Sequence, residues 1–356
     1  ALYGSRASNG VIIITTKKGT KGKLRFNFNT MVSAGVIGDK VDVLSADEVR
    51  NIINTDAAAT GNNTYKNLLG TANTNWQDEI YRAAIGFDNT ISASGSIGNL
   101  PFRASIGYLN QDGILKTNNF KRISSALNLS PKFLKDHLSV NLSVKASQTK
   151  NRFADEGAIG SAISFDPTKP VMSGNKNWGG YYEWLQANNA PIDLATRNPL
   201  GLLELRNNNS EVGRVIGNVQ VDYKLHFFPD LHVLLNFGLD RLSGSGDDNT
   251  DSVSATNYKT RGRFVHYEQT KTNTLADVSL FYTKEIKSIK SKIDVLVGHS
   301  YQAFRTNTNN YAAYGQDGAL IPGSTPNFPD DESEFRLESY IGRVNFTFNN
   351  KYLLTA

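Results

Sequence analysis

The sequence contains no cysteine. This absence excludes a disulfide framework, thiolate metal sites and cysteine nucleophiles. No run approaches the ~20 consecutive apolar residues that a membrane-spanning helix needs, although β-strands cross a bilayer with only ~9–11 half-polar residues. An excess of one charge is also lacking: the 356 residues carry a net charge of +5, and lysine and arginine are scattered. Without a concentrated basic stripe, nucleic acid is not an expected partner.

Recognisable catalytic and metal-binding patterns are missing too. The five histidines never occur at zinc-ligand spacing (His137, His226, His232, His266 and His299). Residues 247–251 resemble the start of a calcium-binding loop, but Ser252 and Tyr258 occupy the positions that require glycine and glutamate. No nucleophile elbow or phosphate-binding loop is present. We therefore expect no enzyme activity, no metal site and no cofactor.

What the sequence does contain is a long series of alternating apolar and polar residues. Residues 138–147 are typical, because every second residue is apolar and the residues between them are polar. This period of two predicts roughly ten β-strands with one apolar face. Along these rows the charges all lie on the opposite face: Arg25, Arg103, Arg122, Lys145, Asp222, Lys224, Asp240, Asp277 and Arg343.

The connections between these predicted strands alternate strictly between long and short. The predicted long connections are 35–84, 110–119, 148–211, 243–260 and 305–334, and the short ones are 98–101, 131–136, 226–230, 286–290 and 349–351. Outer-membrane barrels have short turns at one edge and longer loops at the other, whereas soluble Greek-key sandwiches place long connections at both ends. The pattern favours an antiparallel transmembrane β-barrel, and a soluble all-β glycan-binding or adhesin module is the alternative.

The first residues have a different character. Asn9-Gly10 is a tight-turn dipeptide, and residues 11–14 are β-branched without polar alternation. Such a strand is normally covered on both faces, as in a mixed α/β domain. A basic, glycine-containing stretch then precedes the alternating strands. We therefore expect residues 1–19 to end one domain and residues 20–356 to form the first part of a barrel.

Several segments resemble the SusC/RagA family of TonB-dependent outer-membrane transporters, whose plug domain ends in a sequence similar to residues 2–7 and 9–19. Further resemblance extends along the chain, in residues 73–80, 107–116, 120–122, 198–200, 342–348 and 352–356. The resemblance implies that residues 1–19 are the last strand of an α/β plug and that the strands are about ten of a larger barrel. Most of the plug and the second half of the wall would lie outside this sequence, as expected for a fragment.

The resemblance also implies a function. The expected protein is an energised importer of large nutrients, either oligosaccharides or peptides, in the outer membrane of a Gram-negative bacterium. Its expected partners are outer-membrane lipid, TonB through a part that precedes this sequence, and a SusD-like surface lipoprotein over the loops.

Two sets of residues are candidates for functional contacts. Four aromatic residues lie among asparagines in the longest predicted loop: Trp178, Tyr181, Tyr182 and Trp184. Their flat faces can stack on sugar rings or pack on peptides, and their polar groups can form hydrogen bonds. Packing within the loop, or against a lid protein, is the alternative. The second set would face the barrel lumen: Arg103, Arg122, Lys145 and Arg343. Elsewhere, Ser45 and Glu48 predict a capped helix, and Trp76 is expected to be a packing anchor.

Overall fold

The computed structural model describes Lys17, Gly19 and residues 22–356. The predicted end of a plug domain, residues 1–19, lies outside the described residues apart from those two positions. The predicted wall, residues 20–356, is described from residue 22 onward.

The described chain forms one antiparallel sheet of twelve strands. Apart from the two-residue β5, which pairs with β6 alone, each strand pairs with its neighbours in sequence. The strands are β1 Arg25–Gly35, β2 Ala84–Ile97, β3 Leu100–Asp112, β4 Asn119–Leu129, β5 Lys132–Phe133, β6 Leu138–Phe153, β7 Arg206–Leu225, β8 Phe228–Thr250, β9 Arg263–Ile286, β10 Ser291–Asn309, β11 Asp330–Phe348 and β12 Tyr352–Thr355. The ten long strands agree with the predicted number.

The strand register places the predicted polar residues on one face. Residues paired across neighbouring strands share a face, and residues two apart along a strand share it as well. Arg103 pairs with Ser94 on β2 and with Asn128 on β4, and the same row continues through Ser143 and Asn218. Followed across the sheet, this register places the predicted charged residues on one face, which also carries Leu234, Leu275 and Leu296, while the other face is mainly apolar.

The apolar face is open. Phe26 is 71% exposed, Ile106 60% and Tyr340 85%, and no second layer of the described chain covers these rows. Charged residues of this face lie in the loop-end half of the strands, except for Lys284 near the turn end. Those of the loop-end half are Asp112, Lys121, Lys150, Arg152, Glu211, Arg241, Asp247, Glu268, Arg305, Asp330, Glu332, Glu334, Arg336 and Glu338. A soluble sandwich would bury these rows against another sheet, which the described residues do not do.

The two edges of the sheet differ as the sequence predicts. Connections of two to eight residues lie at the turn end (98–99, 130–137, 226–227, 287–290 and 349–351). The loop-end connections are 36–83, 113–118, 154–205, 251–262 and 310–329, and all of these except the six-residue 113–118 are longer than any at the turn end. All five predicted long loops include strand residues, and the boundaries of 148–211, 243–260 and 305–334 are wrong by five residues or more. The strands continue to Phe153, Thr250 and Asn309. There the hydrophobic alternation stops while backbone pairing continues, so periodicity alone cannot detect the extensions.

Four α-helices lie in the loop-end connections: α1 Ala46–Thr60, α2 Trp76–Ile80, α3 Gly157–Ser164 and α4 Pro199–Glu204. The predicted capping box of α1 is confirmed, since Ser45 Oγ accepts from the Glu48 N–H and the Glu48 carboxylate accepts from the Ser45 N–H. In the described part of the chain, no helix has the length and apolar character needed to cross a membrane.

Candidate functional site

A small hydrophobic core lies at the loop end of the sheet. We call it the loop-end core; its buried members are Trp76, Ile80, Leu115, Ala158, Ala162, Phe165 and Leu203. Trp76 is 2% exposed, its ring meets Phe165 edge-on at 4.7 Å between centroids, and its Nε1 donates to Asp166 O at 3.0 Å. The prediction that Trp76 anchors packing is therefore confirmed. The core joins three connections that are far apart in sequence.

Backbone hydrogen bonds hold two of these connections together. Ala72 N donates to Thr168 O at 3.0 Å, and Thr74 N donates to Pro167 O at 2.9 Å. The Thr168 hydroxyl, in a fully buried residue, accepts from Gly70 N at 2.9 Å. Residues 70–74 are thus aligned along 166–169 almost as a strand pair, which fixes the relative position of the two long connections.

Side chains then attach the segment around α1. Gln77, which is buried, bonds both backbone groups of Val41, accepting from its N–H at 3.0 Å and donating to its carbonyl at 2.7 Å. Arg50 donates to Gly70 O at 3.1 Å and to Asn73 Oδ1 at 2.6 Å. These bonds hold α1 beside α2 and α3 without close packing between them.

The space left between these elements is a cleft of about 940 Å³, which we call the α1–α3 cleft. Apolar and aromatic side chains line one part of it, including Val43, Ile163 and Trp184. Amide, hydroxyl and carboxylate groups line the rest: Asp42, Ser45, Asp47, Asn73, Thr74, Asn75, Ser164, Asp166 and Thr196. Aromatic surface beside convergent polar groups is the composition of a site for a polar organic ligand.

Two of the four predicted aromatic residues pack together beside the loop-end core. The Tyr182 ring meets Trp184 edge-on at 5.7 Å and Phe165 at 6.3 Å between centroids. The Lys169 ammonium lies 4.8 Å from the Trp184 ring centroid and 5.3 Å from that of Tyr182, a cation–π arrangement. Burial, and secondarily Asp166, raises the pKa of Tyr182. Of the four, Trp184 lines the α1–α3 cleft.

The other two aromatic residues point elsewhere. Trp178 meets Tyr258 of the 251–262 connection edge-on at 6.0 Å, and its Nε1 donates to Asn189 O at 3.2 Å. The Tyr181 ring lies against Gly201, where a Cβ would be 3.4 Å from the ring Cγ. All four are half-buried, but they do not form one continuous surface.

Between these aromatic residues the sequence analysis missed a buried carboxyl group. Glu183 is 8% exposed, its Oε1 accepts the Asn198 N–H at 3.1 Å, and its Oε2 has no partner among the described residues. Burial raises the pKa of Glu183 to about 7, while the bond from Asn198 and the charge of Arg197 act in the opposite direction. Asn198 caps α4, and Pro199 is the first residue of that helix. Asparagine followed by proline is a common start of a helix, so the sequence could have predicted where α4 begins.

The second predicted set lies on the polar face of the sheet. Arg103 Nη2 donates to Ser92 Oγ at 3.1 Å, and the Arg122 guanidinium lies 6.0 Å from the Phe120 ring centroid. Arg343 pairs in register with Leu296 on the same face of β10 and β11. Arg122 and Lys145 line one cavity together with Arg214, which the prediction omitted. Among the described residues, no three histidine, aspartate or glutamate side chains cluster as metal ligands would.

Comparison with known proteins gives a consistent result, although no family model matches the chain. The chain is 37% identical over 381 residues to the TonB-dependent receptor SusC of Bacteroides thetaiotaomicron. It is 26% identical over 377 residues to the TonB-dependent receptor P3 of Formosa agariphila. Both alignments cover the whole chain but only 36% and 35% of the relatives, so the chain spans about a third of their length.

Solved structures show the same likeness in the fold. The RagAB peptide transporter superposes with a TM-score of 0.75 at 19% identity, covering 98% of this chain and 43% of that chain. The RagAB peptide importer in its closed-closed state gives a TM-score of 0.76. The antiparallel sheet is therefore a partial, open copy of the barrel wall of such receptors.

Proposed function

Because the chain belongs to the SusC/RagA family of TonB-dependent receptors, we propose that it forms part of the wall of an active importer of large nutrients in the outer membrane. The observation that carries this proposal is the exposed apolar face, whose uncharged rows run between charged residues in the loop-end half of the strands and Lys284 near the turn end. A lipid bilayer imposes this distribution, since Lys or Arg at mid-bilayer costs ~2–4 kcal/mol.

In this proposal the apolar face contacts lipid and the polar face lines the lumen. Residues 1–19 would end the plug domain, and residues 20–356 would form the first part of the wall. The loop end would then face the cell exterior, since loops of outer-membrane barrels are long outside and short on the periplasmic side. Arg103, Arg122, Lys145 and Arg343 would hydrate the lumen and provide contacts for the plug.

The proposed mechanism needs no nucleotide site or catalytic residue in this chain, and we propose that the protein is not an enzyme. TonB, acting from the periplasm on the plug, would supply the energy and open a path along the polar face. A SusD-like lipoprotein would cover the loop end. Similarity to SusC and to the RagAB peptide importer supports these partners.

Cargo would meet the loop-end residues first. The α1–α3 cleft offers Trp184 beside amide and hydroxyl groups, which suits a sugar ring or a peptide side chain. Tyr182 would hold the Trp184 ring in place through their edge-on contact, and Trp178 and Tyr181 would contact cargo from neighbouring parts of the loop. Oligosaccharide and peptide both remain proposed cargo classes.

Uptake in the native host tests the function. A strain lacking the full-length gene should lose uptake of at least one member of a labelled panel of oligosaccharides and peptides, and depletion of TonB should reproduce that loss. Complementation of the deletion strain with the unaltered full-length gene is the control and should restore uptake. Undiminished uptake of the whole panel in both strains would contradict the proposal.

A further inference from the structure

On the polar face of the sheet, three cationic side chains from three neighbouring strands surround one cavity of about 300 Å³. Arg122 comes from β4, Lys145 from β6 and Arg214 from β7. We call this the cationic cavity. The described residues that line it include no aspartate or glutamate, so it concentrates positive charge at one point of a face that elsewhere carries both signs.

The strand register explains how the cavity arises. Gly107, Ser124, Ser147 and Arg214 form one continuous row across β3, β4, β6 and β7. Arg122 lies two residues from Ser124 on one side of this row, and Lys145 lies two residues from Ser147 on the other side. Small residues therefore form the floor, and the long cationic side chains form the walls.

Gly107 has no side chain and therefore leaves space at the floor of the cationic cavity. A Cβ built there would lie 3.0 Å from Ser124 Oγ and 3.2 Å from Thr90 Oγ1, closer than ordinary contact. Ser105 adds another hydroxyl to the lining. The floor thus presents hydroxyl groups, which can donate hydrogen bonds to an anion held between the cations.

Within the described part of the chain, only one of the three cations is paired. Arg214 binds Asp240 with two bonds, Nε to Oδ1 at 2.8 Å and Nη2 to Oδ2 at 2.6 Å. Arg122 and Lys145 form no ion pair with any residue that the structure describes. The charges of Arg122 and Lys145 repel each other across the cavity, since no described carboxylate pairs with them, and a bound anion would remove this repulsion.

We propose that the cationic cavity binds a carboxylate group of acidic cargo as it passes along the polar face; this proposal rests on the importer function. A guanidinium can donate two parallel N–H bonds to the two carboxylate oxygens, and Lys145 adds a mobile point charge. The same chemistry would accept a carboxylate side chain from another part of the same protein, and the experiment separates the two sources.

A cysteine reporter in the full-length protein tests the site without any transport assay. Ser124→Cys places a thiol on the floor, and its modification is timed with two methanethiosulfonates, the anionic sulfonatoethyl reagent and the cationic trimethylammonioethyl reagent. Protein without the introduced cysteine gives the background. Ser279→Cys, on the polar face of β9 two residues from Asp277, is the matched control.

With each rate divided by the rate of the same reagent with a free thiol, we expect the anionic reagent to be favoured on the order of tenfold over the cationic one at position 124, and not at 279. Arg122→Gln combined with Lys145→Gln should reduce the preference at 124 towards one. Tetraglutamate should slow the reaction and tetraglutamine should not. Gly107→Ala, which changes no charge, should weaken protection by tetraglutamate while the reagent preference persists.

The outcomes are distinct. A preference unchanged by the two glutamine substitutions would overturn the site. Equal exclusion of both reagents from the intact protein, relieved by those substitutions, would show that a carboxylate of the same protein fills the cavity, and would overturn the cargo assignment. Because thiol modification does not depend on uptake, failure of the importer proposal would leave these rates unchanged.

Discussion

Asn198 donates its backbone N–H to Glu183 Oε1 at 3.1 Å, and both residues are buried in the 154–205 connection. The Asn198 side chain also donates to Val171 O at 2.9 Å and to Tyr182 O at 3.2 Å, and it accepts from two N–H groups of α4. One residue therefore fixes three segments of this connection, including the one that carries the predicted aromatic residues.

Replacing this asparagine should loosen the connection. Asn198→Ala removes the N-cap of α4 and the side-chain donor to the Tyr182 carbonyl, while the Val171 carbonyl keeps its bond from the Tyr182 N–H. The expected local destabilisation is about 2–4 kcal/mol, the sum of a lost cap and an unsatisfied buried group. Hydrogen exchange in the full-length protein should speed up in residues 165–205. Asn188→Ala, at an exposed position with one local bond, is the control and should change little.

The Glu183 carboxyl should make the same connection sensitive to pH. Its pKa rises from an ordinary 4.5 to about 7, so between these values the folded state keeps a proton that the opened state releases. Stability is therefore highest below about pH 4.5, decreases as pH rises, and levels off above about pH 7, with a maximal loss of about 3 kcal/mol. Exchange rates of residues 171–198, corrected for intrinsic chemistry, should be faster at pH 8 than at pH 5.5.

Glu183→Gln is the matched variant, because it retains an acceptor oxygen for the Asn198 N–H but cannot ionise. Its exchange rates in this segment should lose most of the difference between pH 5.5 and pH 8. Persistence of the full pH effect in the glutamine variant would show that another group is responsible.

The two faces of the sheet should differ in their tolerance of charge. Val221 pairs with Val140 and Leu235 in the apolar face, whereas the adjacent Gln220 pairs with Asn141 and Asn236 in the polar face. Val221→Arg should cost ~2–4 kcal/mol in a bilayer and reduce assembly. Gln220→Arg, one residue away, should assemble normally. Heat-dependent gel mobility of outer-membrane fractions measures both, and equal assembly would contradict the assignment of the faces.

A further prediction concerns the residues that join the 154–205 and 251–262 connections to the loop ends of β7, β8 and β9. Asp248 is 9% exposed and accepts from Arg206 Nε at 2.8 Å and from Arg263 Nη1 at 3.1 Å, and Arg206 also binds Asp155 at 3.0 Å. Asp248→Asn should remove charge from this network at a cost of about 1–3 kcal/mol and speed exchange in residues 251–262.

The neighbouring Asp247 provides the control for this substitution. It points to the opposite side of β8, is exposed, and binds His266 Nδ1 at 2.7 Å. Asp247→Asn should leave exchange in the 251–262 connection nearly unchanged. Equal effects of the two substitutions would mean that the Arg206 network does not secure the connection.

The fold was largely predictable because the wall follows a simple local rule. The alternation of apolar and polar residues assigns Val140 and Asn141 to opposite faces of the sheet, and the connection lengths distinguish its two edges. The site was less predictable. The sequence indicated a group of aromatic residues in the longest loop, but it could not show that Trp178 packs on Tyr258 while Trp184 lines a cleft, because both depend on contacts between distant connections.

The same limit applies to charge. Arg122 and Lys145 were predicted on the polar face, yet Arg214 joins them only through the register of β6 and β7. Glu183 looked like any other loop carboxylate. In the fold it is buried and accepts a hydrogen bond from the N–H of Asn198, fifteen positions further on in the sequence. Pairing over such separations is decided by tertiary packing rather than by local pattern.

The loop-end core has a mechanical consequence. It ties the chain entering β2 to the connections that follow β3 and β6, and hydrogen bonds from Tyr258 and Lys259 to Asp193 attach the connection after β8. The loop end of the sheet is thus braced by contacts between distant connections, while the turn end is held mainly by tight hairpins. We therefore expect the strands of the described sheet to separate more readily at the turn-end edge than at the loop-end edge.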